Sequence, residues 1–194
     1  MFYIEYLGMS KWAKFCGFVI RALGWKVDGG VAPEKYAVLL VVPHTSFWDF
    51  IICYFYYTSL GAKTHTLGNK KFYVWPFRSM LDRMGVIPMD PRNPIAPVKK
   101  MIDRMKSSDE KFHLALSPEG TRQPVKKWKT GYHTIARELN CPVYLGHMDW
   151  GTKHIGYTEK FTLTDDSRKD TEAIQAYYEK AGYKARNPEL FLTH

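Results

Sequence analysis

Two β-prone segments, each closed by a proline and followed by polar residues, constrain the fold of this chain most strongly. The first, Tyr36–Val42, is apolar throughout and leads into His44. An uninterrupted run of this kind predicts a strand buried on both faces, as in the parallel sheets of α/β proteins. The second, Phe112–Ser117, places its large residues on one face and leads into Glu119. Because ligand sites in such sheets lie at the carboxyl ends of the strands, His44 is predicted to lie in a site.

The rest of the chain alternates between strand-like and helix-like patterns. Further strands are predicted at residues 64–67, 85–88, 142–145 and 160–164, and helices at residues 47–61, 77–84, 98–105, 131–139 and 170–181. Pro91, Pro94 and Pro97 predict a loop before the third of these helices. The chain has 194 residues, enough for one domain. The predicted fold is a single α/β domain with a mixed, mostly parallel sheet flanked by helices.

An amphipathic helix is predicted over residues 10–26. One face collects apolar side chains and the other basic ones, with Phe18 and Trp25 beside the basic face. The apolar face comprises Trp12, Phe15, Cys16, Val19 and Leu23, and the basic face Lys11, Lys14 and Arg21. Such a helix either lies in a membrane interface or covers the core of the domain, and the two extra aromatic residues favour the membrane. Residues 1–30 are therefore predicted to form a membrane-associating segment, and residues 31–194 the main domain.

Charge and composition indicate what kind of partner the protein binds. The net charge is +9 and aromatic residues make up 15% of the chain, which favours an anionic partner and a surface at a membrane interface. The longest uncharged runs, Tyr36–Trp48 and Phe50–Ala62, have thirteen residues each, too few to span a bilayer. The three cysteines are widely spaced, which fits a reducing compartment. We therefore expect a peripheral or monotopic protein on the cytoplasmic side of a membrane.

The segment after the first strand carries a candidate acid–base pair. His44 precedes Asp49 by five positions. A histidine is the usual general base at neutral pH, and an acidic partner fixes its tautomer and stabilises its charged form. Asp49 also completes a Ser-x-x-Asp capping box with Ser46, so an alternative is that Asp49 only caps a helix beginning near Phe47.

The segment after the second strand reads Glu119-Gly120-Thr121-Arg122. A guanidinium binds a phosphate or carboxylate through two parallel hydrogen bonds. Thr121 and the backbone N–H of Gly120 add further donors. Glu119 is interpreted as orienting Arg122, and its alternative is a surface carboxylate.

Together these two motifs resemble the glycerophospholipid acyltransferase family, in which His-x4-Asp and Glu-Gly-Thr-Arg recur in this order. The resemblance extends over residues 36–147. It implies acyl transfer with His44 and Asp49 as the catalytic pair, and an acceptor site formed by Glu119–Arg122, Lys70 and Arg92. It also implies an acyl donor, either acyl-CoA or an acyl carrier protein, and no metal or cofactor.

Some positions depart from the family pattern. Lys71 stands where the family usually has Glu, and prolines interrupt the segment before Arg92. Gly146 replaces a proline in the segment Cys141–Gly146, which otherwise resembles a family strand. The basic loop Lys126–Lys129 suits anionic headgroups, an acidic carrier protein or nucleic acid, and its alternative is a solvated surface.

The predicted function is transfer of a fatty acyl group to a hydroxyl of a lysophospholipid or glycerol-phosphate acceptor. Lysophosphatidate is the acceptor that the family implies, and an amino-acid lysolipid is the alternative. A lipid-binding module without catalysis is a second hypothesis. A nucleic-acid-binding domain is a third, which the charge favours, but no helix-turn-helix, zinc-finger or RNA-recognition pattern supports it. We therefore expect a membrane lipid as acceptor, an anionic membrane surface as partner, and no nucleic acid.

Overall fold

The computed structural model describes residues 9–90, 92 and 95–191 and has one seven-stranded sheet at its centre. The strand order is β1-β7-β6-β2-β5-β3-β4. The strands are β1 (Lys26–Asp28), β2 (Tyr36–Val42), β3 (Thr64–Asn69), β4 (Val86–Met89), β5 (Phe112–Leu116), β6 (Val143–Asp149) and β7 (His154–Phe161). β6 and β7 pair antiparallel and all other neighbours pair parallel. The predicted fold class is confirmed.

Strand β2 is buried on both faces, as its apolar sequence predicts. Val38, Leu40 and Val42 belong to one core cluster, whereas Ala37 and Leu39 belong to the cluster on the other face. The strand lies between β5 and β6, which pair with it in parallel. The loop that follows β2 is therefore anchored by a strand that is buried on both faces.

Six α-helices flank the sheet in the described part of the chain. They are α1 (Lys11–Ala22), α2 (Phe47–Ser59), α3 (Arg78–Arg83), α4 (Ile95–Lys106), α5 (Gly131–Glu138) and α6 (Ser167–Ala181). Helix α2 begins as predicted, because Ser46 and Asp49 form a capping box at its first turn. The loop between β2 and α2 is therefore only a few residues long, and the capping box marks its end.

The first helix is shorter than predicted. Gly24 adopts a positive φ of 82°, and the N–H groups of Gly24 and Trp25 bond back to Arg21 and Ile20 in a Schellman turn. The chain therefore leaves the helix before Trp25, which is 3% exposed and lies in the core. The prediction that Trp25 lies beside the basic face of the helix is wrong.

The side chains of the predicted apolar face of α1 do not all lie on the buried side of the helix. Small or aliphatic residues, Ala13, Cys16, Gly17 and Ile20, are buried. Trp12, Phe15, Phe18 and Leu23 are exposed by 50%, 49%, 65% and 47%. The buried face allows close packing on α2, and it leaves the larger apolar side chains on the outside.

Other boundaries also differ from the sequence predictions. The largest difference is at β7, which runs over His154–Phe161 rather than residues 160–164. Pro97 lies in the first turn of α4 rather than in a loop. A proline is tolerated there, because the N–H groups of the first turn have no partner within the helix. β6 continues past Leu145 to Asp149. Among the residues that the structure describes, no helix combines the length and hydrophobicity needed to cross a membrane.

Candidate active site

The two sequence motifs meet at the carboxyl edge of the sheet. β2 and β5 are parallel neighbours, so the loops that follow them emerge side by side. The backbone N–H of His44 donates to Glu119 Oε1 at 3.0 Å. One hydrogen bond therefore joins the loop that holds His44 to the loop that holds Arg122.

His44 and Asp49 lie together, as predicted. His44 Nδ1 is 3.3 Å from Asp49 Oδ2. Asp49 is 1% exposed, whereas the His44 side chain keeps 24% of its surface accessible. With Nδ1 directed at the carboxylate, the Nε2 atom of His44 has no hydrogen-bond partner among the described residues. The imidazole is thus oriented from one side and accessible from the other.

The Asp49 carboxylate accepts four hydrogen bonds or close polar contacts. Oδ2 accepts from the backbone N–H groups of Thr45 and Ser46, both at 2.8 Å, and faces His44. Oδ1 accepts from the indole Nε1 of Trp150 at 2.9 Å. Helix capping and partnership with His44 therefore occur in the same side chain, so the two alternatives raised by the sequence do not exclude each other.

Glu119 is buried, with 4% of its surface exposed, and is not a surface carboxylate. Its carboxylate meets the backbone of His44 rather than the guanidinium of Arg122. Burial raises the pKa of Glu119 to about 8, and the nearby charge of Asp49 acts in the same direction, while the hydrogen bond from His44 opposes them. Glu119 therefore acts on the position of the His44 loop.

The Gly120–Arg122 turn projects towards solvent beside the start of α2. Gly120 has a φ of 65°, a conformation that favours glycine. Thr121 Oγ1 accepts from the N–H of Gln123 at 3.2 Å. The exposed guanidinium of Arg122 lies 5.9 Å from the ring centre of Phe47, the first residue of α2. Arg122 is thereby held near the His44 loop with its donors accessible.

Lys70 and Arg92 form a second group of charges, after β3 and β4. Lys70 Nζ is 2.7 Å from Asp90 Oδ2, and Arg92 Nε is 3.7 Å from Asp90 Oδ1. The two ion pairs lower the pKa of Asp90, with the hydrogen bond from Lys70 as the largest cause. Both cations are thus engaged with a carboxylate of this chain, which separates them from the contacts of His44, Asp49 and Glu119.

Trp128 has a structural setting outside the site. Trp128 is 4% exposed and packs in the core, so it is not part of the basic surface of Lys126, Lys127 and Lys129. In the described ranges, no three His, Cys, Asp or Glu side chains come together as metal ligands.

Two residues near the site were missed by the sequence analysis. Trp150 contacts Asp49, and Asn187 bonds to Thr45 through two hydrogen bonds of 3.2 Å. The prediction ended β6 at Leu145, which left Trp150 away from the edge of the sheet. Its position immediately after β6, the parallel neighbour of β2, is the signal that would have found it.

An α/β sheet with a His–Asp pair at its carboxyl edge and a cationic turn beside it defines the class of site. The family model for acyltransferases matches residues 25–144 of the chain. This is more than half of its length, and the protein belongs to the acyltransferase family.

A solved structure supports the same fold. The crystal structure of the 1-acyl-sn-glycerophosphate (LPA) acyltransferase PlsC from Thermotoga maritima matches with a TM-score of 0.60 and 17% sequence identity. The match covers 91% of this chain and 80% of the other. A comparison with curated protein sequences finds no match.

Proposed function

We propose that this protein transfers a fatty acyl group from a thioester to the hydroxyl of a lysophospholipid or glycerol-phosphate acceptor. The observation that carries the proposal is the oriented His44–Asp49 pair, 3.3 Å apart, beside the accessible Arg122. The donor is acyl-CoA or an acyl carrier protein, and the reaction needs no metal or further cofactor.

In the proposed reaction, the acceptor hydroxyl attacks the thioester carbonyl carbon while His44 Nε2 takes its proton. Asp49 stabilises the imidazolium that forms. The tetrahedral intermediate then expels the thiolate and re-forms the carbonyl, and the imidazolium returns the proton to sulfur. The products are an ester and a free thiol, and the enzyme returns to its starting state.

The acceptor is proposed to be anionic because Arg122 is exposed beside the site. Its guanidinium matches the geometry of a phosphate. Lys70 and Arg92 are paired with Asp90, so a phosphate has to compete with that carboxylate to recruit them. This favours Arg122 as the main anion-binding side chain of the Glu119–Arg122 turn. The family implies lysophosphatidate as the acceptor.

A location at an anionic membrane surface, on the cytoplasmic side, is part of the proposal. Trp12, Phe15 and Phe18 are exposed on α1, and Trp75 is 90% exposed. Large apolar side chains next to basic ones suit the interface of an anionic bilayer. A lysophospholipid acceptor is itself a membrane lipid, so an enzyme at the bilayer surface would lie beside its substrate.

The test is acyl transfer by the purified protein. We expect ester formation from acyl-CoA or acyl carrier protein with a panel of lysolipids, identified by mass spectrometry. His44→Ala should lower kcat by roughly 10²–10⁴-fold, the usual contribution of a general base. Arg122→Ala should chiefly raise KM for phosphate-bearing acceptors, and a matched Arg168→Ala change on the exposed start of α6 should leave KM unchanged.

The outcomes separate the alternatives. Lipid binding without transfer from any thioester supports a binding module instead of an enzyme. Equal KM values for Arg122→Ala and wild type indicate a neutral acceptor. Transfer by His44→Ala at the wild-type rate rules out the proposed mechanism.

A further inference from the structure

We propose that Trp150 is a positioning residue for Asp49. In this proposal the C-terminal segment Lys184–Asn187 fixes the position of Trp150 relative to the loop that holds His44. The inference rests on the proposed function, because it assigns these residues to the same reaction. Trp150 donates from indole Nε1 to Asp49 Oδ1 at 2.9 Å. It lies beyond residues 25–144, which the family model matches.

Trp150 controls the half of the carboxylate that the helix cap leaves free. The backbone donors of Thr45 and Ser46 both reach Oδ2, the atom that also faces His44. Among the described residues, Trp150 is the donor to Oδ1. Holding both oxygens sets the plane of the carboxylate, and that plane determines how Oδ2 meets the imidazole. A hydrogen bond to a charged acceptor is stronger than a neutral one, so the restraint is substantial.

Trp150 is itself held from several directions. Its ring packs edge-on against Trp25, with ring centres 5.0 Å apart, and the guanidinium of Arg186 lies 4.7 Å from its ring centre. Its backbone N–H donates to the carbonyl of Lys184 at 2.9 Å, and the N–H of Lys184 donates to Asp149 Oδ1 at 3.0 Å. The indole therefore has a fixed position relative to the C-terminal segment.

The same segment also bonds to the loop that holds His44. Asn187 donates from its backbone N–H to Thr45 Oγ1 and from its side-chain Nδ2 to the carbonyl of Thr45. Thr45 is 3% exposed, and its own N–H bonds to Asp49. Arg186 adds a contact with Trp48, at 5.3 Å from its ring centre. Residues 184–187 thus contact the supports of both carboxylate oxygens.

The experiment replaces the indole donor and keeps an aromatic ring. Trp150→Phe is compared with Trp128→Phe, a matched change at a buried tryptophan whose indole nitrogen has no partner among the described residues. We expect kcat to fall about 10- to 100-fold in Trp150→Phe, the worth of a hydrogen bond to a charged group, with KM for the thioester little changed. Trp128→Phe should keep kcat within about twofold of wild type.

A second measurement does not depend on activity. Long-range ¹H–¹⁵N spectra of the histidine rings, with His44 assigned by its loss in His44→Gln, report which ring nitrogen carries the proton. We expect the Nδ1–H form of His44 in the wild type and in Trp128→Phe, and a larger share of the Nε2–H form in Trp150→Phe. Such a shift supports the positioning role even if no thioester is turned over, which would count against the proposed function alone. An unchanged His44 spectrum in Trp150→Phe overturns the inference, as does a loss of kcat that Trp128→Phe shares.

Discussion

At the scale of single residues, one carboxylate organises the candidate site. Asp49 caps α2 and faces His44, and its two oxygens together accept from Thr45, Ser46 and Trp150. A buried carboxylate is costly unless such donors surround it, and here they come from a helix start and from the turn after β6. The local capping preference of Ser46 and Asp49 therefore places a carboxylate beside the imidazole before any ligand binds.

Glu119 gives a residue-scale prediction about pH and stability. Burial raises its pKa to about 8 in the native state, against about 4.3 in an unfolded chain. Between about pH 5 and about pH 8, the native state therefore keeps a proton that the unfolded state releases. The contribution of this carboxyl to stability accordingly falls as the pH rises through that interval.

The test compares wild type with Glu119→Gln, which keeps an oxygen for the N–H of His44 and cannot ionise. We expect the free energy of unfolding of the wild type, relative to the variant, to fall by roughly 3–4 kcal/mol from about pH 5 to about pH 8. Urea denaturation at several pH values measures the difference. If the two curves stay parallel across this range, Glu119 does not titrate there.

At the scale of elements, the sequence predicted the features that local pattern controls. The apolar run of β2 and the capping box of α2 were both predictable because each depends on neighbouring residues. The end of β6 was not predictable in this way, because His147 and Asp149 are polar residues within a buried strand. Their burial depends on distant partners: Asp28 bonds to His147, and Lys184 bonds to Asp149.

The candidate site shows the same difference between features set by neighbouring residues and features set by distant ones. The proximity of His44 and Asp49 is local, and their motif predicted it. The bond from His44 to Glu119 requires β2 and β5 to be neighbours, and the bond from Trp150 to Asp49 requires β6 on the other side of β2. Strand order is a tertiary property, so the position of Trp150 after β6 becomes informative only once β6 is known to lie beside β2.

Gly146 provides the prediction at this scale. The position that a Cβ would take at Gly146 lies 2.4 Å from the carbonyl oxygen of Leu40 and 3.2 Å from that of Gly156. Both are backbone atoms of adjacent strands and cannot swing away. We expect Gly146→Ala to lower the free energy of unfolding by about 2 kcal/mol or more.

Urea denaturation measures this loss. Gly30→Ala is the control, because a Cβ at Gly30 meets nothing within 4 Å. We expect the control to lie within about 0.5 kcal/mol of wild type. A Gly146→Ala protein as stable as the control would mean that β2 and β7 can separate at this point without cost.

At the scale of the whole molecule, charge and exposed apolar surface favour the same partner. The chain carries a net charge of +9. In the described part of the chain, the exposed large apolar residues fall on α1 and its C-cap, at the start of α2 and between residues 72 and 80. The last two groups follow the carboxyl ends of β2 and β3, the edge that holds the candidate site. An anionic bilayer would meet both the apolar side chains and the positive field.

This leads to a prediction for vesicle binding. We expect the protein to sediment with vesicles that contain anionic lipids, and to bind zwitterionic vesicles more weakly. Raising the salt concentration should weaken the anionic case, because screening shortens the range of the attraction. Phe18→Ser and Trp75→Ser each remove a large apolar side chain that is 65% or 90% exposed. Each should lower the vesicle partition coefficient about tenfold, since burying such a side chain is worth about 1.5–3 kcal/mol.

The two variants also separate the routes by which the protein meets the bilayer. Loss of binding in Phe18→Ser alone assigns the contact to α1, and loss in Trp75→Ser alone assigns it to the segment at the edge of the site. Because both positions are exposed, neither change should lower the free energy of unfolding by more than about 0.5 kcal/mol. If both variants bind anionic vesicles as tightly as wild type, the exposed aromatic residues do not insert, and charge alone has to account for any association.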